Sequence, residues 1–116
     1  MATIVCFSGK IGSGKSSVSK AVAQSIGCQR AGFGDYLRKL ILLAGGDPES
    51  RRELQDLGQT LVQNDLSEFC EGLLSDIKYQ TGTDLVIDGI RHVKIYDELA
   101  TILLPAKVIL LSLIHI

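Results

Sequence analysis

Apolar residues in this chain fall into short continuous runs separated by longer stretches with a helical period, and that alternation sets the expected order of elements. The run 4–7 (IVCF) is β-branched and aromatic, stops at Ser8 and Gly9, and predicts a short buried strand. From Ser16 onward Val18, Ala21, Val22 and Ile26 recur at helical spacing, with Gly27 as the left-handed stop. A short strand is expected over 29–33, and helix formers then fill 35–44 until Gly45 and Gly46. Asp47 and Pro48 read as an N-cap followed by proline at the first helical position, opening a helix with Leu54, Leu57 and Leu61 as its apolar stripe. Asp65 and Glu68 have capping-box spacing, so a new helix or a kink is expected there, with Leu66, Phe69, Leu73 and Ile77 facing inward. The run 85–87 predicts a second apolar strand ending on Asp88. A helix over 93–103 stops before Pro105, and 107–111 predicts a third apolar strand.

Strands alternating with helices indicate an α/β domain whose parallel sheet is covered on both faces. The helical insertion at about 35–80 is the main irregularity. At 116 residues, one domain is the default. Twelve basic and 13 acidic residues, a formal net charge of -1, leave no basic stripe for nucleic acid, and none is expected as a partner. Cys6, Cys28 and Cys70 match neither a disulfide framework nor a zinc pattern, and read as small apolar residues of a reducing compartment. The first residues lack the features of a secretory signal, and no apolar run reaches the roughly 18 residues of a membrane span, so a cytoplasmic, membrane-free protein is expected.

Between the first strand and first helix stands GKIGSGKS, which fits G-x-x-x-x-G-K-[ST] in full. Gly9, Gly12, Ser13 and Gly14 let the backbone curl around a phosphate with its N–H groups inward, while Lys15, Ser16 and Ser17 begin a helix whose positive end faces the same anion. Lys15 can reach the β- and γ-phosphates, and Ser16 can ligate Mg²⁺. The competing reading is a flexible glycine turn. Asp88, at the carboxyl end of a strand, would lie at the same sheet edge and is the second candidate Mg²⁺ ligand; an ordinary strand-end turn is its alternative. ATP and Mg²⁺ are the implied cofactors.

This loop, together with GDYLR at 34–38 and VIDGIR at 86–91, resembles the P-loop kinases of nucleotides and related small molecules, the group containing adenylate kinase and dephospho-CoA kinase. The resemblance implies a P-loop NTPase three-layer sandwich with a parallel sheet and a helical acceptor-binding insertion. It implies ATP-dependent phosphoryl transfer to a nucleotide or nucleotide-like small molecule, with Lys15, Asp88 and Arg91 catalytic and Arg38 and Arg91 on the acceptor and transferring phosphates. Asp35 is either an N-cap or an acceptor contact. Surface roles are the alternatives for Arg38, for Arg51 and Arg52 at a solvated helix start, and for His92. Phe33 stands where adenylate kinases carry a threonine, which weighs against AMP as acceptor. Dephospho-CoA is an alternative substrate class, and a GTPase or a non-catalytic ATP-binding fragment a different one. Asp88-Gly89-Ile90-Arg91 lacks the D-x-x-G of GTPases. Kinases of this group continue into an arginine-rich lid and a last strand, so the resemblance implies a chain truncated before both. Residues 111–116 (LSLIHI) spell what a sequencing-library adapter would encode, so 1–110 is expected to be the kinase domain and 111–116 a non-native tail.

Overall fold

The computed structural model describes residues 2–9 and 15–113. Four strands, β1 (Thr3–Gly9), β2 (Gln29–Gly32), β3 (Leu85–Ile90) and β4 (Lys107–Leu113), alternate with helices α1 (Lys15–Ile26), α2 (Phe33–Leu43), α3 (Arg51–Asn64), α4 (Leu66–Asp76) and α5 (Val93–Ile102). All strand pairs are parallel, in the order β2-β3-β1-β4. The chain leaves β1 toward β2 in one direction and leaves β3 toward β4 in the other. Right-handed crossovers therefore put α1 on one face and α5 on the opposite one. That divergence marks the carboxyl ends of β1 and β3 as the usual ligand position of an open α/β sheet.

Side-chain alternation in the central strands feeds two cores. Ile4, Cys6, Leu85 and Ile87 pack with Phe69, Cys70, Leu73, Ile95 and Leu99 of α4 and α5, whereas Val5, Phe7 and Val86 pack with Ala23 of α1. Strands buried on both faces need continuous apolar runs, which is why 4–7 and 85–87 were so plain in the sequence. On α1 the buried positions are Ser19 and Ala23, while Val18 and Ile26 are exposed. Small residues on the inner face let the helix lie close to the sheet, and of the predicted apolar positions Val22 packs against this core.

Several predicted boundaries move. Helix α2 begins at Phe33, two residues early, with Gly32 as its N-cap. Helix α3 begins at Arg51, not at Pro48, because Ser50 is its cap: the Ser50 hydroxyl accepts from the Glu53 N–H at 3.3 Å, and the Glu53 carboxylate accepts from the Asp47 N–H at 3.0 Å. Asp47 instead accepts from the Glu49 N–H at 3.0 Å, holding the turn before the helix. Asp65 divides α3 from α4 without forming a side-chain cap. The α3 stripe is only half-buried, with Leu61 packed against the core and no residue fully enclosed. Strand β3 continues past Asp88 to Ile90, and β4 runs two residues beyond its predicted end. The proposed tail thus starts inside β4, where Leu111 pairs with Phe7; residues 114–116 lie outside the described residues. Among the described residues no helix is long and apolar enough to cross a membrane.

Cys6 and Cys70 are fully enclosed and Cys28 is half-buried, all as free thiols. Burial pushes the Cys6 and Cys70 thiols up to about 12 from an ordinary 9.0, with acidic neighbours adding to the effect at Cys70. Unfolded thiols ionise first, so their contribution to stability is complete below pH 9.0 and is lost as pH rises through about 12. Thermal melts across that window should show a falling midpoint, and a Cys6→Ala/Cys70→Ala variant should fall less steeply. Removing the α3 cap with Ser50→Ala should cost about 1 kcal/mol in urea unfolding. Asp47→Ala should cost less; the reverse order would restore the proline-led start.

Candidate functional site

Asp88 sits in the body of β3, opposite Phe7 of β1 and Gly32 of β2. Alternation directs it to the α1 face along with Val86 and Phe7, and its carboxylate is only 4% exposed. This corrects the expected open strand end. The strand continues because Gly89 adopts a φ of 88° and introduces a bulge, across which the pairing slips from Phe7–Asp88 to Ser8–Ile90. The extra residue returns Ile90 to the α4/α5 core. A side chain at Gly89 would be strained by that φ and would meet the backbone nitrogens of Phe33 and Gly34 at 3.4 Å.

A buried carboxylate requires a cationic or hydrogen-bonding partner, and Arg30 supplies one. From the same face of β2 it donates through Nη2 to Asp88 Oδ2 at 2.7 Å and through Nε to the Ser19 hydroxyl at 2.9 Å. Ser19 Oγ is also 3.4 Å from Asp88 Oδ2. The remaining arm of the guanidinium, Nη1, lies 3.5 Å from Asp35 Oδ2 in the first turn of α2, and Asp35 Oδ1 accepts from Arg38 Nη1 at 3.1 Å. Charges therefore alternate from the sheet to the insertion: Asp88, Arg30, Asp35, Arg38. Gly32 makes the passage possible, since a β-carbon there would stand 3.0 Å from Asp35 Oδ2.

Asp35 is no N-cap, that position being held by Gly32; its carboxylate lies between two arginines. Arg38 makes the surface ion pair that was its alternative reading, at 48% side-chain exposure. Arg91 follows the end of β3, exposed, with no ion pair among the described residues, and His92 occupies the N-cap position of α5 without a side-chain cap. Arg51 and Arg52 are exposed at the start of α3. Gly9 ends β1, Lys15 and Ser16 open α1, and Ser17 is exposed in its first turn. Gly12, Ser13 and Gly14 lie outside the described residues. Asp35, Arg38 and Asp88 are thus brought into one network, with the start of α1 following the neighbouring strand. Arg30 and Ser19 were missed. The signal was a lone arginine in a short strand expected to lie in a buried sheet.

Among the described residues no cluster of three or more His, Cys, Asp or Glu could hold a metal. A single buried carboxylate next to a serine-opened helix suits an ion that arrives on phosphate oxygens and keeps its own waters, as Mg²⁺ does. An open cavity of about 730 Å³, bordered by Ala2, Tyr79, Pro105 and Ala106, lies at the amino ends of β1 and β4, away from this network.

A parallel α/β sheet with its loop-bearing strand beside an aspartate-bearing one is a P-loop NTPase-type domain. Residues 5–111 match the family model described as AAA domain, and the chain belongs to that family, a P-loop NTPase type that includes many kinases. No curated protein matches the chain.

Breaking a buried pair leaves an uncompensated charge, so Arg30→Met should destabilise the fold by about 3 kcal/mol. Arg38→Met, at the exposed end of the same network, should change stability by less than about 1 kcal/mol. Parallel urea titrations check the contrast, and equal effects would refute the buried role given to Arg30.

Proposed function

We propose that this domain binds ATP with Mg²⁺ and transfers the terminal phosphoryl group to a nucleotide or nucleotide-like small molecule. The observation that carries this reading is the network joining Asp88, beside the loop-bearing strand, to Asp35 and Arg38 on the helical insertion. A nucleotide-hydrolysing switch has no need of a second cationic site on an inserted helix, whereas a transferase must hold two phosphate-bearing molecules at once.

Phosphoryl transfer asks the protein for position and charge neutralisation, with little covalent chemistry. Lys15 takes the β- and γ-phosphates of ATP, as the GKIGSGKS motif implies. Ser16 and Asp88 would hold Mg²⁺, which when bound neutralises the phosphate oxygens between leaving and attacking groups. Arg38 binds the acceptor's phosphate, exchanging Asp35 for it. Arg91, exposed beyond β3, is free to approach the transferring group. Phe33 is 2% exposed and packs in a tilted arrangement against Phe69, with ring centroids 4.9 Å apart, so it supplies packing and no acceptor contact, which again weighs against AMP.

The test is ADP release from ATP against a panel of nucleoside monophosphates and dephospho-CoA. Release should depend on one acceptor class. Lys15→Ala should abolish nucleotide binding, and unchanged ATP binding in that variant would sink the reading. Arg38→Ala should raise the acceptor KM about tenfold to a hundredfold, the worth of a charge-assisted hydrogen bond, with ATP affinity unchanged. Equal hydrolysis with and without acceptor would point to an NTPase instead.

A further inference from the structure

Arg30 has more partners than a residue that merely balances a buried charge would need. Its Nη2 and Nε are committed to Asp88 and Ser19 at 2.7 and 2.9 Å, while Nη1 stands 3.5 Å from Asp35, a distance at which attraction is present but the hydrogen bond is unmade. The Arg30 side chain is 17% exposed, Asp88 is 4% exposed, and Asp35 is 65% exposed. One guanidinium therefore spans from an enclosed carboxylate to an open one.

We infer that Arg30 is a positioning residue that stands in for the metal: it neutralises Asp88 until a magnesium-bearing nucleotide arrives, then shifts its charge toward Asp35. This rests on the nucleotide-transfer reading above. A cation reaching Asp88 meets a site where positive charge is already held, and repulsion between the two favours movement of the arginine. Asp35 is the available destination, because Gly32 has no side chain to obstruct the path and because Nη1 already points there. Arg38 competes for the same carboxylate through Oδ1 at 3.1 Å. An acceptor phosphate that draws Arg38 away leaves Asp35 to Arg30, so filling either half of the site eases filling of the other. Such coupling is reciprocal in binding free energy.

The experiment measures ADP affinity for the full chain by calorimetry, with magnesium chloride and with a chelator, and takes the ratio as the magnesium enhancement. Arg30→Gln removes the competing cation and should raise that enhancement about tenfold, the effect of one close opposite charge. Arg30→Lys, which keeps the charge but loses the fork, should return it toward the wild-type value. Asp35→Asn removes the destination and should lower it severalfold. A purely structural arginine predicts weaker folding with no change in the ratio, so ADP binding with unmoved ratios, or shifts of the opposite sign, would overturn the inference. Should Arg30→Gln fail to fold, Asp35→Asn decides the matter alone, since its side chain is exposed and outside the core. Wild-type chain that binds no ADP under either condition would defeat the nucleotide reading itself, a distinct result.

Discussion

A carboxylate enclosed within a parallel sheet is the constraint around which this domain is arranged. Leaving Asp88 uncompensated in that setting would cost several kcal/mol, and three features of the surrounding chain answer it. Arg30 comes from the adjacent strand on the same face and reaches Asp88 at 2.7 Å. Ser19 presents a hydroxyl from α1, which can approach closely because its inner positions are small. Gly89 turns the strand immediately afterwards so that Asp88 and Ile90 face different environments. None of these would be needed if the position held leucine. Their presence ties the fold's stability to the pairing of Asp88 with Arg30.

The insertion between β2 and β3 extends this charge arrangement outward. Its own packing is aromatic: Phe33 and Tyr36 both contact Phe69, and Gly72 accommodates the Tyr36 hydroxyl where a side chain would collide with it. Lys39 and Asp76 join α2 to α4 at 2.6 Å. Helix α2 is held through these contacts, so Asp35 and Arg38 are presented on a supported helix turn rather than on a loop. Support of that kind is what the proposed phosphoryl transfer would require, since misplacement of one group by an ångström can cost about two orders of magnitude in rate.

Much of this was legible in the residues. Runs such as 4–7 and 85–87 declare buried parallel strands because both faces must be apolar, and GKIGSGKS is specific because few other demands require that spacing of glycine, lysine and serine. The boundary of α3 was readable too, in Ser50 and Glu53, but Asp47 and Pro48 presented a competing start. Choosing between two local caps depends on where Glu53 goes, and its carboxylate turns back to the Asp47 backbone. Asp88 was recognised as a candidate ligand but placed at an open strand end, because nothing local to D-G distinguishes a terminating turn from a bulge.

The chain by itself determined its alternation of strands and helices, its phosphate-loop motif and the residue types able to serve a phosphoryl-transfer site, since each depends on neighbours a few positions away. Tertiary structure alone decided that Asp88 is enclosed, that Arg30 is its partner and that Asp35 belongs to a network reaching it. Those facts join residues 58 and 11 positions apart in the chain through Arg30. The alignment of Gly32 with Asp88 depends on which strands become neighbours, and that is a property of the whole sheet.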